Sequence, residues 1–490
     1  MLATYRKAFV FNFLGSSATW YKLTIMAFLL LNPLLLFVCG PFITGWTLIL
    51  EFIFTLAMIL QCHPLASGGL LALEALALGM TSPAAVLHEV ESNLEVLLML
   101  MFMVAGIHFM KEGLRLAFTT LLLRVRSKML LSLIFCVIAS LLSAFLDALT
   151  MIAVIITVAS SFYMVYFDYI QSLPLSERAD KVPEGDAFKA FLRNIMMHGA
   201  VGTVFGGTLT LVGEPQNIFI AQLMGWNFME YLRIYAVISV PALLACYLTC
   251  FFVEWTKILG FGKPLPESVR ALLKARADKQ MEGMDIRAWA RMIVQSLVGV
   301  YLISALALHI APVGFIGLSV MVLLTAFLGV TEEHKFGEAF TEAMPFASLL
   351  VVFFSIVAVI HEQQLFTPLI ASVLKLEGEV QLLAFFAANG ILSTMSDSVF
   401  VATVFISEVE KAFNAGAFDR EWYEKLAVVV NTATNIPAVA TPNGQPAFLF
   451  LLTSSLASVI RLSYLEMVKM ALPFLVSTST VAVISIMYFL

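Results

Sequence analysis

Long apolar runs alternate along this chain with short polar ones, and the apolar runs are too long and too uniform for a soluble core. Runs that suit a crossing of ~30 Å of hydrocarbon occupy residues 23–38, 42–61, 66–83 and 95–110. Residues 111–128 then carry five Lys/Arg and one acid around a short apolar centre, the pattern of an amphipathic helix lying on the cytoplasmic surface. The chain continues apolar through 129–165, polar through 167–193, apolar through 194–225 and 232–253, and polar through 254–291. Further crossings are predicted at 288–309, 313–330 and 345–361, followed by apolar stretches at 381–407, 427–457 and 466–489. The expected fold class is an all-α polytopic membrane protein.

Charge fixes an orientation for these segments. The polar stretch 254–291 holds eight Lys/Arg, so it and 111–128 both belong on the cytoplasmic side. An odd number of crossings between them is then forbidden. Residues 129–165 satisfy the count as a re-entrant hairpin that enters and returns, with Asp147 near its tip. The six tryptophans, Trp20, Trp46, Trp226, Trp255, Trp289 and Trp422, all fall at expected membrane edges, as an aromatic belt requires.

The second half repeats the first. LLMLMFMVAGIH at 97–108 aligns with LVVFFSIVAVIH at 350–361, with five identities, and LLSAFLDALT at 141–150 aligns with ILSTMSDSVF at 391–400. These matches lie 253 and 250 residues apart, so Ser143 and Asp147 correspond to Ser393 and Asp397. Counting crossings opens the first hairpin to the cytoplasm and the second to the outside, which makes the repeats inverted. Each repeat also holds a helix broken by Gly and Pro, GGTLTLVGEPQN at 206–217 and NTATNIPAVATPNGQP at 431–446. Broken elements meeting near the midplane are the layout of secondary transporters. The domains read as 1–41, an interfacial segment and an extra helix; 42–255, repeat 1 with hairpin 129–165 and broken helix 194–225; 256–287, a cytoplasmic linker; and 288–490, repeat 2 with hairpin 381–411 and broken helix 427–457.

Composition agrees: 61% of the 490 residues are hydrophobic, 12% are charged, and the mean hydropathy is +0.95, values of the membrane class. The net charge of −5 is spread over loops, and no basic tract is long enough for nucleic acid. Cys39, Cys62, Cys136, Cys246 and Cys250 lack disulfide or zinc spacing and read as packing residues. The amphipathic N-terminus lacks a small-residue cleavage site and reads as a retained interfacial segment. Walker, GxSxG, HExxH and Rossmann patterns are missing in suitable context, so neither ATP nor enzyme chemistry is expected, and no cofactor is implied.

The candidate chemistry rests on carboxylates at membrane depth, where an ionisable group costs ~2.5 kcal/mol or more and marks an ion or substrate path. Asp147 with Ser143 and Thr150 supplies hard oxygen donors for a small alkali cation such as Na+. Asp397 with Ser393, Ser396 and Ser398 repeats them. The bland alternative for either aspartate is a structural carboxylate capping a half-helix. Glu214, beside Gln216 and Asn217, reads equally well as a third protonatable group or as a cap on the half-helix that follows. The second break offers neutral oxygens from Thr434, Asn435, Thr441 and Asn443 and no acid. Glu51, Glu74 and Glu95 lie outside the repeated pair, and pairing with a polar neighbour is the better reading for each. His198 is a packing or interfacial residue before it is a pH sensor, and His108 and His361 read as interfacial anchors ending matching helices.

SAFLDALT, GTLTLVGEPQN and the repeat layout, with NFLGSSATWYKLTIMAFLLLNPLL at 12–35 and EFIFTLAMIL at 51–60, resemble the bacterial NhaB sodium/proton antiporter family over essentially the whole chain. That resemblance implies an antiporter of the bacterial inner membrane exchanging cytoplasmic Na+, and Li+, for external protons. It also implies scaffold and mobile transport domains, homodimers and elevator-like movement. Dicarboxylate carriers of the same superfamily, the alternative as small-anion symporters or exporters, have Ser-Asn-Thr type tips. Here the tips carry Asp147 and Asp397, which attract a cation and repel a dianion.

Overall fold

The computed structural model describes residues 8, 11–59, 61–92, 94–110, 113, 120–121, 123–144, 148–211, 213–282, 285–308, 310–341, 344–396 and 398–490. Every regular element among them is helical. The chain begins with α1 (Thr19–Ala57), α2 (Pro64–Ala77), α3 (Pro83–Ser92) and α4 (Leu94–His108). Next come α5 (Lys128–Ser143), α6 (Ala148–Ser172), α7 (Val182–Gly207), α8 (Pro215–Met224) and α9 (Phe228–Thr256). A polar helix, α10 (Glu267–Glu282), leads into α11 (Ile286–Ala307), α12 (Val313–Leu328), α13 (Glu333–Phe340), α14 (Met344–Glu362) and α15 (Thr367–Val373). The chain closes with α16 (Gly378–Ser393), α17 (Ser398–Asn414), α18 (Arg420–Asn435), α19 (Pro446–Thr453), α20 (Ser455–Val459) and α21 (Tyr464–Phe489).

Among the described residues, α1 and segments of α6, α9, α11 and α21 are long and apolar enough to cross a membrane, and Ala347–Glu362 with Thr367–Val373 form a pair bent by 57°. The protein is therefore a polytopic membrane protein. Helix α1 contains both of the first two expected crossings. Gly40, at φ 81° and followed by Pro41, interrupts it. In a straight helix 19 residues would rise by ~28 Å, yet the Asn32 amide donates to the Glu51 carboxylate at 2.7 Å. The chain therefore doubles back at Gly40, and α1 is two antiparallel arms.

Two differences from the sequence expectation have the same origin. The polar stretch 254–291 contains α10, which packs on α6, and α6 and α7 extend into the polar stretch 167–193. Hydropathy finds membrane depth, and a helix that leaves the bilayer keeps its hydrogen bonds without an apolar run. Of the expected surface helix at 111–128, residues 113, 120–121 and 123–124 are described and helical, whereas 125–127 are described and not helical, and Lys128 already begins α5.

Packing pairs helices across the two halves. Helix α4 lies on α12 and α14 on α2; α8 packs on α17 and α19 on α6. Within the first half α7 lies directly on α5. A Cβ on Gly202 would stand 2.4 Å from the Cys136 carbonyl oxygen, and one on Gly206 would stand 2.1 Å from that of Ser140. Glycines four apart share a helix face and let two backbones touch, the usual device for helix association in lipid. The equivalent approach in the second half has its glycine on the other partner: a Cβ on Gly390 would stand 2.9 Å from Pro437 Cγ. Gly206→Val puts branched carbons against backbone that cannot move aside, so a loss of about 1–3 kcal/mol is expected. Thermal unfolding of the purified protein checks it, with Gly337→Ala, open on all sides, as the variant expected to stay near wild type.

Candidate ion-binding site

Two helix-to-helix turns and two helix breaks are drawn together. Helix α5 ends at Ser143, Ala144 closes its last turn on Ser140, and α6 begins at Ala148. Asp147 lies outside the described residues, and Thr150 stands in the first turn of α6. In the second half α16 ends at Ser393, a turn runs through Ser396, and α17 begins at Ser398. Asp397 likewise lies outside the described residues. Both aspartates are therefore bracketed by helix ends.

Each turn is fastened to the break of its own half. The Thr210 hydroxyl donates to the Ala144 carbonyl, and the Thr441 hydroxyl donates to the Thr394 carbonyl at 2.5 Å. Thr210 and Thr441 belong to a correspondence that sequence reading missed. Thr210, Gly213, Glu214 and Pro215 recur as Thr441, Gly444, Gln445 and Pro446, all 231 residues apart. Both short helices open on Pro, which lacks the N–H that a first-turn residue leaves unused anyway. Glu214 and Gln445 precede them in extended conformation. Glycine is required next to them: a Cβ on Gly213 would stand 2.3 Å from the Gly207 carbonyl oxygen, and one on Gly444 would stand 2.3 Å from that of Ser393.

Amides join the two breaks. Gln216 Nε2 donates to Asn435 Oδ1 at 2.8 Å, and Asn435 Nδ2 donates to Asn217 Oδ1 at 3.0 Å. Asn435 Nδ2 also reaches the Asn431 carbonyl at 2.8 Å. Asn217 in turn donates to the carbonyls of Gly207 at 3.0 Å and Thr210 at 2.9 Å. Asn431 donates to the Tyr231 hydroxyl at 2.9 Å, and Gln445 donates to the Asn435 carbonyl at 3.3 Å. The network holds the first turn of α8 against the last turn of α18. Tyr231, Asn431 and Gln445 were not among the residues the sequence singled out. The recurring Thr-x-x-Gly-[Glu/Gln]-Pro was the signal for Gln445.

Within this frame several buried oxygens have no hydrogen-bond partner among the described residues: Ser143 Oγ, Ser396 Oγ, Gln216 Oε1, Asn443 Oδ1 and Gln445 Oε1. All five sit on the turns or the breaks. A buried acceptor left without a partner costs about 1–3 kcal/mol, and hard oxygens in this state are suited to an alkali cation. The other expected ligands are committed elsewhere. Ser393 donates to Asn389 Oδ1 at 3.2 Å, Ser398 to the Gly444 carbonyl at 2.5 Å, and Thr434 to its own helix at 3.0 Å. Glu214 is 3% exposed and makes no side-chain cap on α8, which removes the capping reading. Its carboxylate folds back toward Gly207, where a Cβ would stand 3.0 Å from Glu214 Oε1. Its counterpart Gln445 is the same shape without the charge. Neither turn sequence nor break sequence contains a Lys or Arg.

A second buried polar cluster lies away from the breaks. Glu254 near the end of α9 meets Lys128 Nζ at 2.8 Å and His198 Nε2 at 2.7 Å, and it accepts from the Ser132 hydroxyl at 3.0 Å. His198 is thus a fully buried packing partner among Phe261 and Phe474. His108 and His361 end α4 and α14, and His361 Nδ1 stands 3.4 Å from Glu89. Cys136, Cys246 and Cys250 are buried free thiols. Among the described residues no group of three His, Cys, Asp or Glu side chains is placed to hold a metal.

The family model for "Bacterial Na+/H+ antiporter B (NhaB)" matches residues 1–490. The Na(+)/H(+) antiporter NhaB of Saccharophagus degradans is 54% identical over 98% of this chain and 98% of its own. Those of Hahella chejuensis and Klebsiella pneumoniae are 54% and 52% identical, over 97% and 99% of this chain and 97% and 96% of theirs. This chain, with its paired turns and broken helices, belongs to the bacterial NhaB antiporter family.

Proposed function

We propose that this protein is a secondary transporter exchanging Na+ for H+ across the bacterial inner membrane. The observation that carries this reading is the set of orphaned neutral oxygens on both turns and both breaks, beside two sequence positions occupied by aspartate. Asp147 binds either a proton or Na+, and the two ligands compete for one carboxylate. Desolvation favours its protonated form and bound Na+ its ionised form, so each ligand weakens the other reciprocally. Asp397 is the second such group. Ser143, Ser396, Asn443, Gln216 and Gln445 contribute neutral oxygens to the cation, while Asn217 and Asn435 hold the breaks in register. Ser393, Ser398, Thr150, Thr434 and Glu214 complete the surroundings.

The finer architecture belongs to the same proposal. The halves are inverted repeats, 129–165 and 381–411 are re-entrant hairpins, and the hairpins and broken helices form the moving unit. The exchanged pairings of α4 with α12 and α14 with α2, and of α8 with α17 and α19 with α6, support a twofold relation between halves. The matched Thr-x-x-Gly-[Glu/Gln]-Pro breaks support it independently. Li+ is a further substrate, and the protein works as a homodimer with elevator-type access.

Proteoliposomes test the reading. An imposed Na+ or Li+ gradient is expected to drive proton movement in the opposite direction, and an equal choline gradient is expected to drive none. Sodium flux without counter-movement of protons would refute it.

A further inference from the structure

The arms of α1 and helix α2 hold a second pair of carboxylates, far in sequence from the turns and breaks. The Asn32 side-chain nitrogen lies 2.7 Å from Glu51 Oε2 and 2.8 Å from Glu74 Oε2. Asn32 is fully buried and Glu51 is 3% exposed. Gly40 marks the turn between the arms, with Asn32 eight residues before it and Glu51 eleven after. At ~1.5 Å per residue these lie ~12 and ~16 Å from the turn, near the middle of a ~30 Å hydrocarbon layer.

The hydrogen-bond account of this cluster does not close. The amide nitrogen has two hydrogens, one for each carboxylate. That leaves Glu51 Oε1 and Asn32 Oδ1, both buried acceptors, with no donor among the described residues. The surrounding groups are already committed. On α1, Lys22 Nζ donates to the carbonyls of Phe11 and Gly15, Thr44 to that of Gly40, and Thr55 to that of Phe52. Tyr21 donates to Ser67 of α2, and His63 accepts from Leu65 at the start of that helix. From α14, His361 faces Glu89, and Glu362 accepts from Ser82. From α21, which also touches α1, the titratable groups are Tyr464, Glu466, Lys469 and Tyr488, and none forms an ion pair with either carboxylate among the described residues.

Two ionised carboxylates on one amide at this depth, with no cation, repel each other and are poorly solvated. Protonating one relieves both problems and supplies the missing donor. A metal cation is disfavoured between them, because the amide hydrogens already point there. We propose that Glu51 and Glu74, bridged by Asn32, form a proton-binding site that holds one proton at membrane mid-depth, separate from the turns and breaks.

Infrared spectroscopy of the full-length protein in lipid tests this directly. At neutral pH the spectrum is expected to contain a protonated-carboxyl C=O band that shifts when glutamate, and not aspartate, is carbon-13 labelled. In the Glu51→Gln, Glu74→Gln double variant the band should fall by one carboxyl equivalent, whereas Glu214→Gln should retain that component. A wild-type spectrum with no glutamate-derived component would overturn the proposal without any variant, as would an unchanged band in a folded double variant. Sodium-driven proton movement, measured separately, reports on the Na+/H+ reading and not on this site.

Discussion

Asp147→Asn is expected to abolish Na+-driven proton movement in proteoliposomes, with a loss of about tenfold or more, equivalent to at least ~1.4 kcal/mol. The substitution preserves the shape of the side chain and removes both functions the mechanism needs, a negative charge for Na+ and a group that can take up the displaced proton. The neighbouring Ser143 and the break residues should stay in place, because Thr210 anchors the end of α5 through the Ala144 carbonyl. Purified Asp147→Asn should therefore unfold at a temperature close to wild type while losing exchange. Asp397→Asn should lose exchange as well, since Ser396 and Asn443 likewise carry buried oxygens with no hydrogen-bond partner among the described residues. Glu214→Gln is expected to be milder, because Gln445 already fills the matching position as an amide. Full exchange by folded Asp147→Asn would sink the competition mechanism. A parallel loss of stability and activity would mean that the aspartate is structural.

Much of this layout was legible in hydropathy. Crossing length is set by the bilayer, so α1, α4, α9, α11, α12, α14 and α21 fall within a few residues of the apolar runs. Pro lacks the N–H that a helix interior needs and Gly costs a helix conformational entropy, and the chain breaks after Gly207 and around Pro437 accordingly. What hydropathy could not register was pairing at a distance. The Thr210 and Thr441 anchors, the Asn435 bridge to Asn217 and the Asn32 bridge between Glu51 and Glu74 all join residues separated by loops of unrelated length. The internal correspondences also differ in offset, 253 and 250 residues up to the turns and 231 at the breaks. A search at one fixed spacing therefore finds the aspartates and misses the Thr-x-x-Gly-[Glu/Gln]-Pro pair. Helix α10 escaped because it is amphipathic and not uniformly apolar: it buries Val269 and Leu273 on one face while most of its other positions are polar, so hydropathy reads it as a loop.

Glu254→Ala should be the most destabilising single substitution outside the turns and breaks. Its carboxylate is the only acid among the described residues that contacts Lys128 and His198; the Glu254 side chain is 1% exposed and that of Lys128 11%. Removing the acid leaves an ammonium group buried without its counter-ion, a change that typically costs about 3–5 kcal/mol. The cost comes from the uncompensated charge more than from the lost attraction. The double substitution Lys128→Met, Glu254→Ala should therefore recover a large part of the stability, because an apolar side chain needs no partner. Thermal or denaturant unfolding of the four proteins in the cycle measures the coupling, which is expected to exceed ~1 kcal/mol. Additive losses would mean that Lys128 reaches other solvation once the acid is gone. The position of the cluster gives this test a functional side. It ties the first turn of α5 to α7 and to the end of α9, so one end of the α5 arm is fixed here while the other carries the Asp147 turn. Releasing the fixed end should loosen the geometry at the turn and lower apparent Na+ affinity in Glu254→Ala, and the double variant should restore affinity together with stability. Recovery of stability without recovery of affinity would assign Glu254 a direct part in ion transfer.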